Sequence, residues 1–166
     1  WKMEAPEDAN KQIQMLLDGT LWGGTVYRLF KAEICHNQYV SFPPRCVAWE
    51  DLAFLVSAFL YCSKITYCDK CLYHYDLTNT NSITHSGSVR LLEDGYMKAL
   101  AHIENSLGMA GKLDVYSYGL RKQKLIAVRD YIDCYAIQDF DKFVNTYPDA
   151  IEHIGAYTTS PLRLKQ

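Results

Sequence analysis

From Leu52 to Leu60 every residue except Ser57 is apolar. A helix that is apolar all round has to be covered on most sides, because an exposed helix alternates with charge at a period of 3.6. The run is too short to span a bilayer, which needs about 20 apolar residues. It therefore predicts a core helix, opened by Glu50 and Asp51 where that core meets water. Asp51 shares a helix face with Leu55, Ala58 and Cys62, and Glu50 shares one with Phe54, Ser57 and Tyr61. The two acids point about 100° apart and need not do the same job. Both sit at the positive end of the helix dipole. They read either as ordinary first-turn acids or as acceptors of a proton or hydrogen bond at the core's rim.

Such a helix needs a chain able to surround it. With 166 residues, 49% of them hydrophobic and 22% charged, this chain can bury a core of one domain or two small ones. The net charge of -2 argues against a nucleic-acid partner. Tyrosine far outnumbers Phe and Trp, which suits surfaces half buried and half wet. The polar start, Trp1 to Asn10, has no signal-peptide pattern, so the six cysteines are expected as reduced cytoplasmic thiols. A first residue of Trp1 rather than Met is what a fragment would show.

Local patterns predict the other elements. Pro6 to Asp18 reads as an amphipathic helix with Ile13, Leu16 and Leu17 on one side, stopped by Asp18-Gly19. Thr25 to Ile34 carries Val26, Leu29, Phe30 and Ile34 at helical spacing, and Pro43-Pro44 sits in a loop. Lys64 to Asp76 is rich in strand formers, broken at Asp69-Lys70, and reads as two short strands or a strand and a turn. The polar stretch Leu77 to Gly87 is a loop. Further helices are expected from Ser86 or Ser88 to about Leu107, from Leu120 to Ile137, and from Asp139 to Tyr147, ended by Pro148.

Three groups offer chemistry. Cys68-x2-Cys71-x2-His74 has zinc-ligand spacing, with Cys62 upstream, but supplies one knuckle where a structural site uses two. Cys35-His36 are sequence neighbours, which is not how a nucleophile and its base are arranged. The loop Tyr73 to Ser86 brings His74, His85, hydroxyls and amides after a strand, where ligand sites form; a solvated turn is the plainer reading.

The order of these pieces adds information. Trp49-Glu50-Asp51 opening a buried helix is followed by Lys64-Ile65-Thr66-Tyr67, Leu72-Tyr73-His74-Tyr75 and Asn81-Ser82-Ile83-Thr84. Upstream lies Gly24-Thr25-Val26-Tyr27-Arg28-Leu29-Phe30-Lys31-Ala32-Glu33. This succession, from about Leu16 to Ser86, resembles the later half of family 2 glycosyltransferases of bacterial surface-polysaccharide synthesis. The resemblance implies an α/β fold: the acceptor-side half of a GT-A domain over residues 1–87, mostly helical with a short β-hairpin or strand pair. Residues 88–166 would be a C-terminal helical extension.

By the same resemblance Asp51 is the base that takes the acceptor hydroxyl's proton, and Glu50 orients the acceptor or braces the site. Trp49, His74 and His85 are the substrate-binding candidates, although a core position explains Trp49 equally well. The reaction implied is inverting transfer from a nucleotide-sugar donor to a saccharide acceptor. A divalent cation, Mg or Mn, would serve the full-length enzyme, with none held by this stretch. The place implied is the cytoplasm, with room for peripheral contact at the inner membrane face and for a homo-oligomer. The nucleotide-binding half and its Asp-x-Asp after a strand are missing, since Asp139-Phe140-Asp141 opens a predicted helix instead. This stretch alone is therefore not expected to turn over. The basic run Arg121-Lys122-Gln123-Lys124 reads as a solvated helix face. Against the transferase stands a non-catalytic helical interaction module.

Overall fold

A computed structural model describes residues 6–68, 70–74, 78, 92–135 and 145–152. The apolar run forms helix α3, Glu50–Phe59, with Leu55, Val56, Ser57 and Ala58 inaccessible to solvent. Ser57 satisfies its hydroxyl within the helix, donating to the Phe54 carbonyl at 2.8 Å. Three other helices matter for the core: α1 (Ala9–Asp18), α4 (Met97–Met109) and α5 (Leu113–Tyr135). Helix α3 packs on α1 and α4, and α5 packs on the same two helices, so the four close on one another. Their shared interior holds Ile13, Leu16, Leu17, Leu100, Ile103 and Leu107, all fully buried, and so draws on both sides of residue 87. Short pieces complete the set: a 3-10 turn at Thr25–Tyr27, α2 (Ala32–Cys35), a π turn at Leu92–Tyr96, and α6 (Pro148–Ile151).

The expected α/β architecture is overturned: the described residues form helices and loops, with no strand among them. Residues 64–68 and 70–74 have strand-forming side chains but no ladder. Ile65 donates one backbone bond, to the Glu7 carbonyl at 3.1 Å, while Tyr67, Leu72 and Tyr73 stay exposed. Strand propensity reflects packing on a pleated surface, and no neighbouring strand among the described residues supplies that surface. A GT-A acceptor half with a β-hairpin is therefore not what the described residues form.

Helix ends follow local chemistry. Asp8 caps α1 by accepting from the Asn10 N–H at 2.8 Å, and Gly19 ends it at φ 71°. The stretch from Thr25 to Ile34 is not one helix; Leu29 points to solvent, and only Phe30 and Ile34 reach the core. Residues 145–146 are helical up to a bend at Tyr147, as the expected stop before Pro148 requires, and Pro148 then begins a new helical turn, where its missing N–H is not needed. Of the expected helix Asp139 to Tyr147, residues 139–144 lie outside the described residues, as do Ser86 and Ser88.

Helix α5 starts earlier than its pattern predicts, at Leu113 rather than Leu120. Tyr116, Leu120, Gln123, Lys124 and Ala127 are buried, so the expected solvated basic face is only partly solvated. Gln123 donates to the Leu16 and Leu17 carbonyls at 3.3 and 2.7 Å, serving the end of α1. Lys124 reaches Glu104 at 3.6 Å and Asp149 at 3.1 Å, tying α5 to α4 and α6. Burial, then the charges of Glu104 and Asp149, push the neighbouring Tyr147 hydroxyl up to about 12. Among the described residues no helix is long and apolar enough to cross a membrane.

Helices α1 and α5 touch at Gly119, where an added Cβ would stand 2.7 Å from the Leu17 Cβ. Gly119→Ala is expected to destabilise the protein by about 1–3 kcal/mol through this overpacking, exceeding a helix-propensity gain of about 1 kcal/mol. Gly108→Ala, which meets nothing within 4 Å, should instead stabilise by about 0.5–1 kcal/mol. Urea unfolding of the two variants checks both signs.

The His102 Nε2 is buried with no hydrogen-bond partner among the described residues. Burial lowers its pKa, partly offset by a hydrogen bond with the Ser41 backbone. As pH falls through the unfolded value of about 6.5, the unfolded chain takes up this proton first, so stability must fall. Unfolding midpoints between pH 7.5 and about 5.5 should show this loss, and His102→Phe should flatten it.

Candidate functional site

Helix α3 begins without a side-chain cap of its own. Trp49, in the left-handed region at φ 62°, precedes it, and neither acid that follows bonds back to the helix's first N–H groups. Freed from that task, Asp51 reaches across to the segment before α2. Its Oδ1 accepts from the Thr25 hydroxyl at 2.6 Å and its Oδ2 from the Thr25 N–H at 3.1 Å. One half-buried carboxylate thus serves both donors of a single threonine at the first residue of the 3-10 turn. A carboxylate has about four lone-pair sites, so further acceptor capacity remains on each oxygen.

Arg28 holds the same segment from within. Its guanidinium donates to the Gly24 carbonyl and, at 2.7 Å, to the Trp22 carbonyl, and it lies over the Phe59 ring at 5.9 Å. Burial lowers its pKa, and the nearby Asp51 charge opposes that shift. Gly23 packs beside Leu52, with an added Cβ 3.4 Å from the Leu52 Cβ. The loop carrying Trp22 to Tyr27 is thereby seated on the start of α3 by an aspartate, an arginine and a glycine.

Aromatic rings cover the outside of this loop. Trp22 and Tyr27 meet with centroids 4.6 Å apart and planes tilted by 40°, and Tyr73 sets its ring at 78° to Tyr27, 5.6 Å away. The structure therefore joins Asp51 to the Gly24 to Glu33 segment through Thr25, and that segment to residues 72–74 through the Tyr27 and Tyr73 rings. His74 follows Tyr73 and is exposed. His85 lies outside the described residues.

Glu50 and Trp49 serve a different contact. Glu50 lies near the Cys46 thiol, whose pKa is raised first by burial and then by this charge. Cys46 donates to the Ala48 and Gly95 carbonyls, Val47 donates to the Asp94 carbonyl at 3.0 Å, and Lys98 pairs with Asp94 at 2.6 Å. Trp49 stacks on Tyr96, centroids 4.2 Å apart. Together these strap residues 46–49 to the π turn before α4. One face of the Trp49 ring is thus occupied by the protein itself.

Sequence reading singled out Asp51 but missed Thr25, Arg28, Trp22 and Tyr27. A usable signal was Gly23-Gly24 between Trp22 and Thr25, since paired glycines mark close backbone approach. The metal candidates do not assemble: Cys68, Cys71 and His74 are all exposed, and no three His, Cys, Asp or Glu among the described residues could hold an ion. Compared with known proteins, the chain matches no family model, no curated sequence and no solved structure.

Replacing Asp51 separates its bonding from its charge. Asp51→Ala strands the Thr25 N–H and hydroxyl and is expected to cost about 1–3 kcal/mol of stability. Asp51→Asn keeps an acceptor oxygen for the N–H and offers its amide to the Thr25 oxygen, so it should cost clearly less. Denaturant unfolding of the two variants measures the difference.

Proposed function

We propose that this chain supplies the acceptor side of an inverting glycosyltransferase, working with a nucleotide-binding half that its own motifs lack. In that reaction an acceptor hydroxyl oxygen forms a bond to the anomeric carbon of a nucleotide sugar. The bond from that carbon to the diphosphate breaks, the diphosphate leaves with the electron pair, and the hydroxyl proton passes to Asp51. The base must lie within hydrogen-bond reach of the proton it takes and be held in a fixed orientation. Thr25 provides that orientation with two bonds and leaves lone pairs for the acceptor.

The observation that supports this reading is convergence. Segments 24–33 and 49–51 of the motif succession, far apart in the chain, meet where Asp51 accepts both donors of Thr25, and Tyr73 from a third segment packs on the Tyr27 ring. Glu50 faces the strap at Cys46 and is assigned to bracing the helix start. The resemblance implies a divalent cation on the diphosphate, but the described residues gather no ligand set that fits one.

A non-catalytic interaction module is favoured by a different feature. Met109, Val115 and Tyr118 are exposed around the turn between α4 and α5. Such apolar surface suits a protein partner.

The test uses the full-length protein and measures release of nucleoside diphosphate from a panel of nucleotide sugars with saccharide acceptors. Asp51→Asn is expected to lower kcat by about 10²–10⁴-fold, the range for losing a general base, with the unfolding midpoint near that of the parent. Transfer at the parent rate removes Asp51 as the base. Absence of transfer with every donor leaves the interaction module as the better account.

A further inference from the structure

We infer that Trp22, Tyr27 and Tyr73 form a stacking subsite for one neutral pyranose ring, placed beside Asp51. The inference rests on the transferase reading and assigns the residues that would hold its acceptor. These three rings retain 59%, 44% and 47% of their surface in contact with solvent although they pack on one another. An aromatic cluster formed only to fill a core would be covered. The loop that carries Trp22 and Tyr27 is held in place by the protein's own bonds. Arg28 bonds the Trp22 and Gly24 carbonyls, and Gly24 lies against the Tyr27 ring, where even an added Cβ would come within 3.3 Å.

The chemistry around the rings selects the occupant. A pyranose has an apolar C–H face and a rim of hydroxyls. The first suits an aromatic face, and the second suits a carboxylate with lone pairs to spare. Asp51 offers such a carboxylate, bonded to Thr25 in the same 3-10 turn as Tyr27. With the Asp51 charge balanced by the nearby Arg28 guanidinium, no net charge is left to attract a diphosphate or an acidic sugar. Val26 and Leu29 are exposed on the same segment, so a protein occupant is the rival that the test must separate.

The probes are methyl β-D-glucopyranoside and methyl β-D-galactopyranoside, added to the chain and followed by saturation-transfer NMR. Saturation should pass from aromatic protons to the C–H face of the sugar. Trp22→Ala and Tyr73→Ala should each weaken binding about 2–12-fold, the size of one aromatic contact, and Trp22→Phe should recover most of it. Val115→Ala, on the far turn, should change nothing. No transfer to either glycoside, or transfer unaffected by both ring variants, overturns the subsite. So does concentration-dependent self-association in sedimentation that Trp22→Ala abolishes, because a second copy would then be the occupant. Failure of the two readings can be told apart. If ring-dependent binding persists while Asp51→Asn transfers sugar normally, the subsite stands and the base falls. If Asp51→Asn stops transfer while Trp22→Ala leaves the acceptor KM unchanged, the base stands and the subsite falls.

Discussion

Burial of α3 is the constraint on which everything else in this structure depends. Each large apolar side chain taken fully out of water contributes about 1.5–3 kcal/mol, whereas helix propensity separates ordinary residues by at most about 0.7 kcal/mol. Packing therefore decides where this helix forms and what surrounds it. With Leu52, Phe54, Leu55, Val56 and Phe59 all buried, no side of α3 is left to face water. Helices α1 and α4 cover two sides, and aromatic residues from irregular segments close the rest. Phe30 packs edge-on and Phe42 face-on against Phe54, at 5.3 and 4.3 Å. Loops that look unstructured in sequence are fixed because α3 needs covering.

The same demand explains the irregular backbone at the helix's start. Trp49 and Arg45 both adopt positive φ without being glycine, a conformation that costs about 1–3 kcal/mol where the surroundings must enforce it. The strap between them is held by the Cys46 thiol, the Val47 N–H and the Trp49 ring against the π turn and Tyr96. Gly95 allows that approach, since a Cβ there would lie 2.8 Å from the Ala48 Cβ. The strain is small beside the burial it permits. It turns the chain sharply enough to start α3 under the 22–28 loop rather than beside it.

What could be read from sequence divides along the range of the interactions involved. Helices α1 and α3 were legible because their apolar periodicity and stop signals are local. The strand reading of residues 64–74 failed because a strand is completed by a neighbour, and the one backbone bond from Ile65 goes to Glu7 instead. The inward face of α5 was hidden for a similar reason. Gln123 and Lys124 look like surface residues until their partners, Leu16, Leu17, Glu104 and Asp149, are brought to them by the fold. Asp51 stands out in the sequence by its place at the head of an apolar helix, whereas the bonds that tie Thr25 and Arg28 to that helix are tertiary and show only in the fold.

Asp51 combines two demands that pull in opposite directions. As a staple it is satisfied by Thr25, and a fully satisfied carboxylate has no reason to be used further. In the proposed role of base it would have to remain open to one more donor. The two are compatible, because both bonds come from one residue, Thr25, and a carboxylate has lone pairs beyond these two. The carboxylate is half-buried, at a loop whose outer face carries exposed rings. The Thr25 bonds therefore fix the direction of the carboxylate without closing it off.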